Sequence, residues 1–192
     1  PTEIEKFLHL FKEIQLGVVI PIPDKYTGFK SVLIYEGRKK LNYLKFKKGQ
    51  RELTSGAFYS MGVAVPLAIG ASVTRPEAQV IVVTGDGSIE LNIQELRTIS
   101  INKLNIKIFV INNGGYASIR KSQDDMVGGR YTDDKEILDF SKVAEAFELP
   151  FYIIDDYKDF DFILEKVLSK NSPGLIEVVC DPRQKLLEVF SG

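Results

Sequence analysis

The chain has 192 residues, 44% of them hydrophobic, with 25 Lys and Arg against 26 Asp and Glu, one His, one Cys and no Trp. A chain of this size buries roughly 70% of the surface its unfolded form exposes, so one apolar core suffices. Cys180 alone builds neither a disulfide framework nor a cysteine metal site. A net charge of −1 excludes global attraction to nucleic acid or an anionic membrane. The longest apolar stretches, such as 62–71, are too short to span a bilayer, and the polar start at Pro1 lacks a basic-then-apolar leader pattern. The expectation is a single cytoplasmic domain over 1–192 with no nucleic-acid and no membrane partner. A start at Pro1 without Met further suggests a processed product, a fragment or one piece of something longer.

Taken in chain order, Ile4, Phe7, Leu8 and Phe11 fall at the i, i+3, i+4, i+7 spacing of an amphipathic helix capped by Thr2 and ended by Gly17. Residues 18–22 have strand character interrupted by Pro21 and Pro23, and 24–30 reads as loop. Residues 31–35 are a further strand candidate. The basic run 38–51, interleaved with Tyr43 and Phe46, reads better as a solvated face or a contact with an acidic partner than as a nucleic-acid site, because the charge is confined to one segment.

After Gly56 apolar runs alternate with amphipathic ones, the βα alternation of a parallel sheet. Residues 61–72 are small and apolar nearly all round, a buried helix; 79–84 is a β-branched run, a strand covered on both faces. Residues 88–101 carry Ile89, Ile93, Leu96 and Ile99/Ser100 on one helical face, and 106–111 is the next buried strand. Helix 137–147, strand 151–154, helix 159–168 and strand 174–179 complete the series. No repeat or low-complexity segment interrupts it. The fold expected is α/β: an open, mostly parallel sheet with helices on both faces, three layers in all.

In such sheets ligands sit beyond the carboxyl ends of the strands, where main-chain N–H groups of the following helices point outward. Two successive strand ends carry unusual residues. At Gly85-Asp86-Gly87-Ser88 the glycines allow close backbone approach to a phosphate, and Ser88 is placed both to cap the helix and to meet an anion. A carboxylate aimed at a phosphate repels it unless a divalent cation lies between, and Mg²⁺ takes one or two carboxylates plus phosphate oxygens. The second strand end, Asn112-Asn113-Gly114-Gly115-Tyr116, offers an amide oxygen at Asn113 and a main-chain carbonyl at Gly115, neutral oxygen donors suited to a hard cation. Taken singly, each segment reads as an ordinary cap or turn.

The separation of the two segments by one helix and one strand resembles the diphosphate-binding motif of the thiamine diphosphate enzymes. The resemblance extends through Leu53-Thr54-Ser55-Gly56-Ala57-Phe58-Tyr59-Ser60-Met61-Gly62, Pro66-Leu67-Ala68-Ile69-Gly70-Ala71, Asn92-Ile93-Gln94-Glu95-Leu96, Gly128-Gly129-Arg130-Tyr131 and Ala144-Glu145-Ala146-Phe147. Together these look like the C-terminal cofactor domain of the acetolactate synthase-like branch over roughly residues 46–185.

The resemblance implies that Asp86, Asn113 and the Gly115 carbonyl hold Mg²⁺, and that backbone around Gly85, Gly87, Ser88 and Tyr116 holds the diphosphate. It implies a conformation-setting apolar wedge at Met61, with Tyr59, Ser60 and Met61 at the aminopyrimidine edge; plain core packing is the alternative for Met61. It implies a 2-oxo acid substrate, an oligomer of at least two subunits, and an activating Glu from a pyrimidine-type domain that nothing in these residues matches, so that the chain alone is inactive. Simple decarboxylases of the family carry an acidic residue where this chain has Ile119, which favours carboligation. Arg120 and Lys121 read as exposed helix charges rather than substrate ligands. The chain departs from the family at 114–118, where well-known acetolactate synthases are bulkier, and at 20–35, where the family has an Asp- and Gly-containing turn. The rivals are a 2-oxo acid decarboxylase subunit, a non-catalytic cofactor-domain protein acting through a partner chain, and a nicotinamide-dependent dehydrogenase, whose Gly-x-Gly-x-x-Gly turn is missing.

Overall fold

The computed structural model describes residues 31–35, 51–54, 60–131 and 138–181. The expected helix over 2–16, the strand at 18–22, most of the basic run and Tyr59 lie outside the described residues. Six strands form one sheet: β1 (Ser31–Tyr35), β2 (Arg51–Leu53), β3 (Gln79–Gly85), β4 (Ile106–Asn112), β5 (Phe151–Ile154) and β6 (Gly174–Val179). Their order is β2-β1-β3-β4-β6-β5, and every neighbouring pair is parallel. The helices are α1 (Ala64–Thr74), α2 (Asp86–Ile89), α3 (Glu95–Ile101), α4 (Ala117–Met126), α5 (Phe140–Ala146) and α6 (Phe160–Leu168).

Alternation along the strands divides the core in two. Val80, Val82, Ile106, Ile108, Val110 and Leu175 face one layer, built from Ala64, Ala68, Leu96, Ile99, Phe140 and Ala144 of α1, α3 and α5. Ile81, Phe109, Ile111, Ile154, Ile176 and Val178 face the other, covered by Phe160, Leu164, Val167 and Leu168 of α6. The sheet therefore has helices on both faces, as expected from continuous β-branched strands. Phe109 and Phe140 are among the largest fully buried side chains, and removing either ring would leave a cavity costing about 3–5 kcal/mol.

Strands β5 and β6 match the sequence expectation residue for residue, and β3 and β4 each run one residue further. The helices differ more. α1 begins at Ala64 rather than Met61, because Gly62 takes φ +80° and ends any helical run before it. Pro66 is then tolerated in the first turn, where its missing N–H has no intrahelical partner to lose. The helix expected over 88–101 is two helices joined by a 3-10 turn at Glu90–Asn92, although Ile89, Leu96 and Ile99 are buried on one face as foreseen. Ser88 does not cap: the first piece starts at Asp86 after Gly85, placing Ser88 inside it. α5 begins at Phe140 instead of 137, since Asp139 accepts the Ser141 and Lys142 main-chain N–H groups and fixes the start. Among the described residues no helix is long and apolar enough to cross a membrane.

Candidate functional site

β3 and β4 are adjacent, with Gly85 paired to Ile111, so the segments that follow them emerge side by side. Asp86 is the first residue of α2 and is 3% exposed. Its Oδ1 accepts the Gly87 N–H at 2.8 Å, and its Oδ2 accepts the N–H groups of Asn113 at 2.9 Å and Gly115 at 2.8 Å. The carboxylate thus ties the two strand ends together through main-chain donors, the short charge-assisted class of hydrogen bond.

The loop from Asn112 to Tyr116 is almost fully accounted for. The Gly114 N–H reaches Asn112 Oδ1, and Asn112 Nδ2 donates to Glu177 Oε1 at 2.6 Å. The Asn112 carbonyl accepts the Cys180 N–H, while those of Asn113 and Gly114 accept from the Arg120 guanidinium. Gly114 and Gly115 take φ +81° and +77°, left-handed values that cost a side chain-bearing residue energy, and Tyr116 follows at +46°. Among the side chains of this loop, Asn113 Oδ1 is buried and without a hydrogen-bond partner. A buried unpaired amide oxygen costs about 1–3 kcal/mol.

The leftover atoms suit a hard cation. A carboxylate has about four lone-pair sites, of which Asp86 uses three, and the orphaned Asn113 oxygen belongs to the adjoining segment. Among the described residues there is no cluster of three or more His, Cys, Asp or Glu. A cation held here would keep most of its positions for water or ligand oxygens, the habit of Mg²⁺ rather than of a closed structural metal.

The neighbouring residues are arranged around this pair. The Tyr116 ring packs against Gly87, where a Cβ would meet Cε1 at 2.7 Å. Ser60 is exposed and Met61 is 38% exposed in the turn before α1. Met61 is therefore not the core residue of a buried helix that its sequence surroundings also allowed. Asn92 Nδ2 donates to the Gly62 carbonyl at 2.9 Å, fastening the Met61 turn to the segment that follows Asp86. Ile119 is partly exposed on α4. Cys180 is buried beside the site; desolvation first and the Asp86 charge second push its thiol up to about 12, so it is no nucleophile at neutral pH.

Arg120 overturns its expected place. It is 6% exposed and turns back onto the loop at 2.5 Å from the Gly114 carbonyl and 3.1 Å from that of Asn113. No sequence signal marks this, because an Arg one turn into a polar helix reads as solvated. The Lys121 side chain lies outside the described residues. The Gly128-Gly129-Arg130-Tyr131 segment folds onto the end of α4, with Arg130 Nη2 paired to Asp124 at 2.8 Å and the Tyr131 N–H donated to Gln123 Oε1.

Glycine-rich turns at the carboxyl ends of neighbouring parallel strands sit where open α/β sheets bind their ligands. The family model for the thiamine pyrophosphate enzyme, C-terminal TPP binding domain, matches residues 37–178, and the chain belongs to this family, on its acetolactate synthase-like branch. It is 34% identical over 140 residues to the acetolactate synthase large subunit of Cyanidium caldarium, covering 71% of this chain and 24% of that protein. Similarity to the chloroplastic acetolactate synthase 2 of Nicotiana tabacum is 32% over 157 residues, covering 77% of this chain and 24% of that protein. The chain thus spans about a quarter of the length of these relatives. In fold it resembles the thiamine diphosphate-dependent 4-hydroxybenzoylformate decarboxylase of Rhodococcus jostii RHA1, with TM-score 0.74 at 23% identity over 93% of this chain and 33% of that one.

Proposed function

We propose that this chain is the thiamine diphosphate- and Mg²⁺-binding part of an acetolactate synthase-like enzyme that decarboxylates a 2-oxo acid and joins the remaining fragment to a second carbonyl compound. The observation that carries this reading is the buried, unpaired Asn113 Oδ1 beside the three-fold bonded Asp86, at adjacent strand ends of a chain in this family. Asp86, Asn113 Oδ1 and the Gly115 carbonyl would hold Mg²⁺. Main chain at Gly85, Gly87, Ser88 and Tyr116 would hold the diphosphate, and Tyr59, Ser60 and Met61 would border the aminopyrimidine. When bound, the cofactor supplies a nucleophilic carbon and an electron sink for loss of CO₂.

The residues of this chain position and neutralise. Asp86 sets a negative charge against the cation while its three main-chain bonds keep that charge from drifting toward the diphosphate. The Met61 side chain, exposed on an anchored turn, would offer the cofactor an apolar surface. Proton activation falls to a Glu of a pyrimidine-type domain outside residues 1–192, from the rest of the polypeptide or a second subunit, so this chain alone turns over no substrate. The apolar Ile119, in place of an acid that would protonate the product, favours carboligation over aldehyde release.

Calorimetric titration with thiamine diphosphate, with and without Mg²⁺, tests the assignment. Binding should require Mg²⁺ and vanish in Asp86→Ala. A folded wild-type protein that binds neither alone nor with a pyrimidine-type domain supplied would refute it.

A further inference from the structure

Of the four carbonyls from Asn113 to Tyr116, Arg120 takes three. Its guanidinium holds those of Asn113 and Gly114, and its own main-chain N–H holds that of Tyr116 at 2.9 Å. It passes over only Gly115, the carbonyl assigned above to the cation. We infer that Arg120 is a positioning residue for the cation and diphosphate half-site, acting as a two-pronged clamp that fixes the peptide planes on either side of Gly114. The inference rests on the cofactor reading of the preceding section.

One peptide unit carries both charged contacts. Between Gly114 and Gly115 the carbonyl faces Arg120 Nη1 at 2.5 Å and the N–H faces Asp86 Oδ2 at 2.8 Å. A trans peptide directs its oxygen and its hydrogen to opposite sides, so this unit is a strut between a guanidinium and a carboxylate. Each charge polarises the unit in the sense that strengthens the other bond. Rotating the unit breaks both contacts together, which holds a glycine pair of wide intrinsic freedom in one geometry. The next unit upstream is held alike, its carbonyl on Nη2 and its N–H on Asn112 Oδ1 at 3.3 Å. With these carbonyls drawn toward α4, the Asn113 side chain and the Gly115 carbonyl are left to face a ligand.

The choice of residue supports a role beyond packing. A buried guanidinium is costly to desolvate, yet Arg120 forms no ion pair with a carboxylate of the described residues. Packing alone would be served by an apolar side chain of that length. A planar guanidinium fixes the directions of its donors in one rigid fork, which the compact, freely rotating ammonium of Lys does not.

The test uses the full-length protein with two readouts. Mn²⁺ affinity in the presence of thiamine diphosphate is followed by electron paramagnetic resonance of the free ion. Amide hydrogen exchange of the peptide carrying Asn113 to Tyr116 is measured with neither ligand present, with Val82 of β3 as the fold control. Arg120→Ala should weaken Mn²⁺ binding about tenfold or more, the scale of lost outer-shell partners, and should speed exchange at Gly115 while Val82 stays protected. Arg120→Lys, which keeps the charge but not the rigid fork, should fall between, about threefold weaker than wild type. Wild-type affinity and unchanged loop protection in Arg120→Ala would overturn the clamp. If Arg120→Ala does not fold, Arg120→Lys decides, and wild-type values in both readouts overturn the clamp. A wild-type protein that fails to bind Mn²⁺ overturns the cofactor reading and the role built on it. A wild type that binds while Arg120→Ala binds equally well overturns the role alone.

Discussion

Replacing Asp86 by Asn separates two opposed electrostatic effects at the strand ends. The carboxylate is nearly fully buried and accepts three main-chain bonds, two on Oδ2 and one on Oδ1. An Asn oxygen can keep the Asn113 and Gly115 pair, but its amide nitrogen then meets the Gly87 N–H, donor against donor. One bond to a charged acceptor, contributing about 1.5–3 kcal/mol, is lost, and the other two fall toward the neutral value of about 1 kcal/mol. Against this, Asn relieves the desolvation cost of a buried charge with no cation present. Three aligned donors outweigh that relief, so Asp86→Asn should lose about 2–4 kcal/mol. Urea midpoints in excess chelator, at matched m-value, measure it. A variant as stable as wild type, or more so, would refute the view that these donors hold the carboxylate. With thiamine diphosphate and Mg²⁺ at about a hundred times their Kd, the wild type should gain about 2.7 kcal/mol and the variant nothing.

Asn113→Ala should cost less than about 1 kcal/mol in unliganded stability, because it removes a buried oxygen that is already unpaired, yet should abolish Mg²⁺-dependent cofactor binding. A large loss in the unliganded protein by chemical denaturation would mean that the side chain has a structural partner. Gly62→Ala meets both a φ of +80° and a Cβ placed 2.8 Å from Leu91 Cβ. It should cost about 2–4 kcal/mol and lower Tm by about 5–15 °C; a melt within 1 °C of wild type would contradict this. Lys107 is buried on β4, donating to Asn105 Oδ1 and to the carbonyls of Lys170 and Ser172. Burial, and then the Lys170 charge, bring it down to about 8 from 10.5, so between those values the unfolded chain holds the extra proton. Wild-type stability relative to Lys107→Met should therefore rise with pH across that window and level off above it. Urea titrations of both proteins at pH 7 to 10 test the sign, and a flat or falling difference counts against it.

Strand positions were most legible where a run such as Val80, Ile81, Val82 and Val83, covered on both faces, leaves no polar position that a different structure would satisfy better. Helix limits were less so. The apolar period through Ile89, Leu96 and Ile99 reports which face is buried, but it is silent on the 3-10 turn that breaks the helix, since that depends on main-chain hydrogen bonds. Met61 was drawn into α1 by its apolar neighbours, whereas the left-handed Gly62 and its bond from Asn92 set it on a separate turn. The spacing of Asp86 and Asn113 across one helix and one strand was enough to place them at neighbouring strand ends, because a parallel crossover returns the chain to the same edge.

Local periodicity and the geometry of a βα unit thus specify the layers, the long buried strands and the residue types gathered at their carboxyl ends, but not the three-residue edge strand β2, which is too short to show a period. That Asp86 bonds three main-chain donors, that Asn113 Oδ1 is left unpaired and that Arg120 folds inward onto two carbonyls emerges only from packing. Such partners lie on other elements, and a charged side chain carries no mark of whether water or a buried carbonyl will satisfy it. That is settled only when packing removes the water.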